Sequence, residues 1–245
     1  MASRMRELVR SNPVFLPVRS SYHVSQLLRS KDERKYTLEW VKSFKSDYML
    51  DKPAPFINFQ AADWVKAYLK GKTAIRVFEY GSGASTIFWL SMKAEVISVE
   101  HDADWYRKIK QRLSEADQID YRLVEPEKAP EDRANGDPAD PDLCISALEP
   151  YRGLSFASYV SQVDAFPDEY FDVIMVDGRS RASCLVHSLP KVKTGGIIIL
   201  DNSDRERYTR LTAKYLENYN FELIKFKGFT PSIHLKETTS IYRKL

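Results

Sequence analysis

The stretch Val77-Phe78-Glu79-Tyr80-Gly81-Ser82-Gly83-Ala84-Ser85-Thr86 decides how this chain is read. It begins as a short apolar strand and breaks at two glycines, and small residues then open a helix. Glycines at 81 and 83 let the backbone turn sharply and approach a ligand closely. A strand, a tight glycine turn and a helix in succession form the first unit of an open α/β sheet.

The alternation repeats towards the C-terminus. Ser85 to Lys93 reads as a helix and Glu95 to Glu100 as a strand. Asp102 to Glu115 reads as a helix opened by an acid, as the N-terminal dipole favours. Ile119 to Val124 is the third strand. Pro126, Pro130, Pro138, Pro141 and Pro150, set among charges, then mark 125–150 as a long loop or insertion. Loops of that size are uncommon without a function or disorder. Alternation resumes with a helix at 155–164, a fourth strand at Phe171 to Asp177 and a helix at Arg181 to Leu189. A fifth strand at Gly196 to Asp201 and a helix at Asp204 to Asn218 follow. Phe221 to Phe226 and Thr239 to Arg243 end the chain as two strands, expected antiparallel because no helix joins them.

Towards the N-terminus, 34–49 and Ala61 to Lys70 carry helical spacing, and Pro53 and Pro55 mark a boundary. Prolines at 13 and 17 are expected to interrupt any long amphipathic helix at the start. The fold class is therefore α/β, a mostly parallel sheet with helices on both faces. An N-terminal helical extension over 1–55 precedes a main domain over 56–245. Ligands of such sheets bind beyond the carboxyl ends of the strands. All the candidate residues fall there.

Two ligands compete for the glycine turn. A dinucleotide site wants a third glycine at position 86, so that pyrophosphate can sit on the helix N-terminus. Thr86 stands there instead. A carboxylate at Glu79 would also repel a pyrophosphate, but it suits the ammonium and sulfonium of S-adenosylmethionine (SAM). Charge favours SAM over NAD. Glu100 ends the second strand, where an acid accepts hydrogen bonds from the ribose hydroxyls of either cofactor.

Glu79-x-Gly81-x-Gly83, followed by the acidic strand end at Glu100, resembles the first two motifs of class I SAM-dependent methyltransferases. Phe171 to Gly178 and Lys193 to Asp201 are similar to that family's fourth and fifth strands, and the resemblance spans residues 74–245. It implies a seven-stranded Rossmann-like sheet with an antiparallel last strand, and SAM as cofactor. It also implies Glu79 on the methionine amine, Gly81 and Gly83 along the cofactor, and Glu100 on the ribose. Ser82, Thr86 and His101 complete the expected cofactor set. Glu125, past the third strand, is expected near adenine.

Methyl transfer is an in-line displacement that needs alignment and, for some nucleophiles, a base. Asp177 and Asp201 are the catalytic candidates. With Asn202 they resemble the metal-binding Asp…Asp-Asn set of catechol-type O-methyltransferases, whose oxygen ligands suit Mg²⁺. Ser180 stands where that group carries a lysine, so a divalent metal is the lesser expectation, and capping of the strand ends the greater. Arg179 and Arg181, with Arg205 and Arg207, are expected on one rim of the site, where a guanidinium fork would recognise an anionic acceptor. Pairing with local acids is the competing reading. His187 is expected at the surface or in packing.

Asp177-Gly178-Arg179 lacks the Pro-Pro-aromatic sequence of N-methylating nucleic-acid enzymes. A small-molecule acceptor, methylated at oxygen, is expected rather than nucleic acid. An NAD-dependent oxidoreductase and a silent SAM-binding module are the alternative classes.

Composition agrees. A net charge of +3 in 245 residues is too mild for a dedicated nucleic-acid binder. No apolar run is long enough for a membrane span. Two cysteines, Cys144 and Cys184, are too few for a disulfide framework and point to a cytoplasmic protein. Residues 1–30, with five arginines and one acid, also overlap with organelle transit peptides. The N-terminal aromatics (Phe15, Tyr22, Tyr36, Trp40, Phe44, Tyr48, Phe56, Phe59) either pack on the sheet's helices or, with the 125–150 insertion, close over the acceptor. Nothing in the sequence fixes an oligomeric state.

Overall fold

The computed structural model describes residues 16–45, 47–52, 54–115 and 118–245. The arginine-rich opening through Phe15 and the boundary residue Pro53 lie outside them.

The centre is a seven-stranded sheet. Its strands are β1 (Arg76–Tyr80), β2 (Glu95–Glu100), β3 (Ile119–Leu123), β4 (Phe171–Val176), β5 (Val192–Leu200), β6 (Phe221–Phe229) and β7 (Lys236–Lys244). Their order is β3-β2-β1-β4-β5-β7-β6, and β7 runs antiparallel to both neighbours. The strand order reverses beside β1, between β1 and β4, so the ends of those strands open a crevice where a ligand fits.

The sheet is covered on both faces. Side chains alternate along each strand, so Phe78, Tyr80, Ile174, Val176, Ile198 and Leu200 share one buried cluster with Phe156, Tyr159 and Leu185. Val77, Val173, Met175, Ile197 and Ile199 join the opposite cluster, under Ala61, Val65, Phe88 and Trp89. Glu79 has the parity of Val77 and is therefore directed to that second face.

The helices follow local rules. The first, α1 (Leu16–Arg29), takes Pro17 into its opening turn, where the missing N–H costs nothing. Pro13 lies outside the described residues. α2 (Thr37–Ser43) and α3 (Tyr48–Asp51) are short. α4 (Phe59–Leu69) is capped by Asn58, whose side chain accepts from the Ala61 N–H at 2.9 Å. α5 (Ala84–Ser91) opens from the glycine turn. α6 (Ala103–Lys110) is capped by Asp102, which accepts from the Trp105 N–H at 2.8 Å. α7 (Arg181–Lys191) links β4 to β5. Two expected helices are fragmented. Asp204 to Asn218 holds only two single turns, Glu206–Thr209 and Ala213–Leu216, and 155–164 is the turn Ala157–Val160 followed by a 3-10 helix at Ser161–Ala165.

The insertion is anchored by a small antiparallel pair, Glu127–Lys128 with Leu154–Ser155. Its acids reach the segment after β5. Arg210 pairs with Asp137, and the Tyr215 hydroxyl donates to Asp142 at 2.9 Å. The N-terminal segment is fixed to the far end of the sheet. Leu27, Tyr36 and Trp40 pack with Phe59 and Phe229, and buried Glu33 accepts from the Phe229 N–H and pairs with Lys236. Among the described residues no helix is long and apolar enough to cross a membrane.

Candidate active site

The glycine turn is locked to its neighbours by close backbone approach. Gly81 adopts φ +89°, and a Cβ there would stand 2.9 Å from the Gly178 backbone. A Cβ on Gly178 would collide with the Tyr159 hydroxyl. Only hydrogen at both positions lets the ends of β1 and β4 lie this close. Gly83 is different. It is extended (φ 163°), and a Cβ there would meet only Trp105, at 3.9 Å, so the space above it is open to a ligand.

Glu79 lies beneath this turn rather than facing it. Its carboxylate is completely buried and accepts from the Thr86 hydroxyl, from Ser98 Oγ at 2.8 Å and from Trp89 Nε1 at 3.3 Å. The Thr86 oxygen in turn accepts from the Gly83 N–H at 2.9 Å. Glu79 and Thr86 thus brace the loop from below, and neither lines the two cavities over the turn. Direct contact of Glu79 with a methionine amine, expected from sequence, is not what its position offers. The parity of β1 turns it under α5. Burial pushes its carboxyl up to about 7, against the opposing hydrogen bonds.

Glu100 and His101 do face a cavity. The Glu100 carboxylate accepts from the Ser82 N–H (3.0 Å), Ser82 Oγ (2.9 Å), the His101 N–H (2.7 Å) and the Asp102 N–H (2.9 Å). Burial opposes its charge, yet His101 and these donors hold its carboxyl below the usual range. His101 is packed among Tyr151, Phe156 and Tyr159, with Nε2 3.1 Å from the Tyr151 hydroxyl.

At the end of β4, Asp177 is held by Arg181 at 2.7 Å, and the same guanidinium lies 3.7 Å from Asp201. Arg181 also donates to the carbonyls of Asp201 (2.6 Å), Asp177 (2.9 Å) and Gly178 (3.1 Å). It is buried, and its guanidinium is held by three carbonyls and two carboxylates. The expectation that it grips an acceptor is corrected: it ties the ends of β4 and β5 together. This geometry also fails the test for a divalent metal at Asp177, Asp201 and Asn202. A cationic guanidinium already lies against both carboxylates, and Asp201 accepts from Thr239 Oγ1 at 2.8 Å. Among the described residues no cluster of three His, Cys, Asp or Glu could hold a metal. Asp177 keeps about a fifth of its side chain open, at 21%. Burial pushes its carboxyl up, Arg181 pulls it down, and the Asp201 and Glu79 charges add to the rise.

Two cavities meet over the glycine turn. One, of about 350 Å³, is lined by Gly81, Ser82, Glu100, His101, Tyr151 and Arg179, among others. The second, of about 590 Å³, lies against Gly83, Ala84 and Ser85 and is walled by Phe44, Met49, Leu50 and Phe56. Ser82, Trp105 and Asp177 line both. The structure thus gathers Gly81, Ser82, Gly83, Glu100, His101, Asp177 and Arg179 at one cleft, and leaves Asp201 and Asn202 behind it. Arg179 faces the smaller cavity, its guanidinium 5.2 Å from the Tyr151 ring centroid. The expected rim of arginines does not form. Arg205 pairs with Glu237 at 2.9 Å, and Arg207 lies over Tyr208. Glu125 lines neither cavity, and His187 pairs with Asp164 at 2.7 Å.

Trp105 and Tyr151 were not singled out in the sequence. Trp105 had a readable signal. It sits three residues after the Asp102 cap, so the first helical turn returns it to the strand end, where its indole N–H donates to the Ser82 carbonyl at 2.8 Å. Tyr151 had none, because only the fold of the insertion brings it back to His101.

No protein-family model matches the sequence, and no curated protein does. Solved structures do. A provisionally assigned O-methyltransferase from Klebsiella pneumoniae is 13% identical, with 92% of this chain and 95% of that one covered at a TM-score of 0.51. A SAM-dependent O-methyltransferase from Thermotoga maritima is 12% identical over 81% of this chain and 70% of its own, at a TM-score of 0.48. A tRNA (m1A58) methyltransferase from Aquifex aeolicus is 16% identical over 75% and 68%, at 0.44. Identities this low show the fold and leave the acceptor unassigned. With its strand order β3-β2-β1-β4-β5-β7-β6 and glycine turn after β1, this chain has the class I, Rossmann-like fold of the SAM-dependent methyltransferases.

Proposed function

We propose that the chain is a SAM-dependent methyltransferase acting on a small-molecule acceptor at oxygen. The observation that carries this reading is the position of Asp177. It is the one carboxylate, among the described residues, that lines both cavities where they meet. The cleft fits the cofactor. Gly81 and Gly83 let it approach the backbone, Glu100 and His101 border the smaller cavity where a nucleoside would sit, and the space above Gly83 is open. When bound, SAM supplies an activated methyl group on a sulfonium and is left as S-adenosylhomocysteine. Asp177 takes the proton of the acceptor hydroxyl, and its raised affinity for protons suits a base working near neutrality. Arg181 fixes the orientation of that carboxylate. Tyr151 and Trp105 form sides of the cleft.

The N-terminal segment acts as a cap in this reading, supported by Phe44 and Phe56 in the wall of the larger cavity. The insertion contributes no wall residue over 125–150; Tyr151, immediately after it, supplies the contact. A cytoplasmic location is part of the same proposal, supported by two free, buried thiols, Cys144 and Cys184.

Calorimetric titration with SAM, S-adenosylhomocysteine and NAD tests the cofactor. Binding of NAD without SAM overturns the proposal. Asp177→Asn then tests the base. It is expected to lower kcat by about 10²–10⁴ while changing SAM affinity less than severalfold, once an acceptor is in hand.

A further inference from the structure

We propose that the 590 Å³ cavity receives a neutral aromatic acceptor, which presents its hydroxyl to Asp177, and that anionic acceptors are rejected there. This rests on the methyltransferase reading of the same cleft and names its substrate class. It also reverses the sequence-based expectation of an anionic acceptor.

One side of the cavity is apolar and aromatic. Phe44, Met49, Leu50 and Phe56 come from the N-terminal segment, and Trp105 faces them from α6. Met49 and Leu50 are anchored with Ala84 and Ile109 in one buried cluster, so this wall is firm. A volume of about 590 Å³ is ordinary for a small-molecule site.

Most of the polar groups in the walls already have partners. Ser43 Oγ donates to the Trp40 carbonyl at 2.6 Å and accepts from the Ser232 N–H at 2.7 Å, while the Ser232 hydroxyl donates to the Ser43 carbonyl. Ser82 Oγ is held by Glu100 and Tyr121. Lys108 pairs with Asp47 at 2.7 Å and lies 5.3 Å from the Trp105 ring centroid. Lys45 is exposed at the rim, where water weakens its pull on an anion. Asp177 is left as the polar feature at the inner end. A carboxylate or phosphate on the acceptor would meet no buried cation in this cavity and would approach Asp177 with like charge. The arginines that could have received it are elsewhere: Arg181 is buried and tied to the ends of β4 and β5, Arg205 is paired, and Arg179 lines the other cavity.

Calorimetry with 2-naphthol, 2-naphthyl phosphate and 2-naphthoate, on protein saturated with S-adenosylhomocysteine, tests this directly. 2-Naphthol is expected to bind at least about tenfold more tightly than either anion. Phe44→Ala and Phe56→Ala are each expected to weaken it by about tenfold, a loss that corresponds to removing one aromatic contact. Affinity for S-adenosylhomocysteine should stay within twofold in both variants, which also shows that they fold. Lys45→Ala should leave naphthol binding unchanged. Tighter binding of either anion, unchanged naphthol affinity in both phenylalanine variants, or no naphthol binding overturns the inference. If S-adenosylhomocysteine fails to bind but naphthol behaves as expected on the protein alone, the cofactor reading falls and the cavity assignment stands.

Discussion

Replacing Glu79 by Gln should flatten the pH dependence of stability over the neutral range. The Glu79 carboxyl is fully buried and pushed up to about 7 from its ordinary 4.5. A group whose proton affinity rises on folding stabilises the fold while protonated, and the stabilisation is lost as pH climbs through the folded value. It is therefore fully present below pH 4.5 and gone above about pH 8. That shift corresponds to about 3 kcal/mol in total, most of it between pH 5 and 8.5. The amide is neutral throughout and lacks this slope. Its oxygen can still accept from Thr86 and Ser98, while its NH₂ faces the Trp89 indole N–H, now 3.3 Å from a carboxylate oxygen. That mismatch costs about 1 kcal/mol at every pH. Urea unfolding of both proteins from pH 5 to 8.5 separates the two effects. The stability of wild type minus that of Glu79→Gln should fall by about 2–3 kcal/mol across the range, with the variant gaining relative to wild type at the alkaline end. Asp177 and Asp201 are also pushed up, mostly by burial, which is common to both proteins and cancels. The lesser part of the Asp177 rise that comes from the Glu79 charge is removed with it in the variant. A difference that stays flat would refute the assignment of a buried, proton-holding carboxyl at Glu79.

Gly81→Ala places a Cβ 2.9 Å from the Gly178 backbone at φ +89°. It should cost about 1–3 kcal/mol in thermal unfolding and abolish SAM binding by calorimetry. Arg181→Met leaves two buried carboxylates without their cation, so a loss of about 3–5 kcal/mol is expected in denaturant titration. A loss below 1 kcal/mol would show that the clamp is not structural. Trp105 is the tryptophan lining both cavities, whereas Trp40 and Trp89 are buried elsewhere. SAM should therefore change the intrinsic fluorescence of wild type and leave that of Trp105→Phe nearly unaltered.

Periodicity made most of the strands legible. The apolar runs at 76–80, 95–100, 119–123 and 171–176 alternate with helices, and local pattern alone specifies such units. Boundaries set by tertiary contact were not legible. Val192 joins β5 early because Phe171 pairs with it, ahead of the register shift. The helix expected at 204–218 breaks into two turns, with Arg210 and Tyr215 between and within them reaching to the insertion's acids.

The sequence by itself determined that two glycines turn the chain between β1 and α5, and that acids end β1, β2, β4 and β5 near one edge of a parallel sheet. Residue type and spacing suffice for that, since backbone sterics and side-chain parity are local. Only the tertiary structure decided which acids face the cleft. The parity of β1 sends Glu79 beneath α5, the Arg181 guanidinium takes the place between Asp177 and Asp201 where a metal was considered, and Arg205 finds Glu237 across 32 positions of chain. Charge has long reach but is settled by burial and by whichever partner the fold brings nearest. The proposed acceptor cavity is likewise formed by contacts between the N-terminal segment and the glycine turn, not by any single motif.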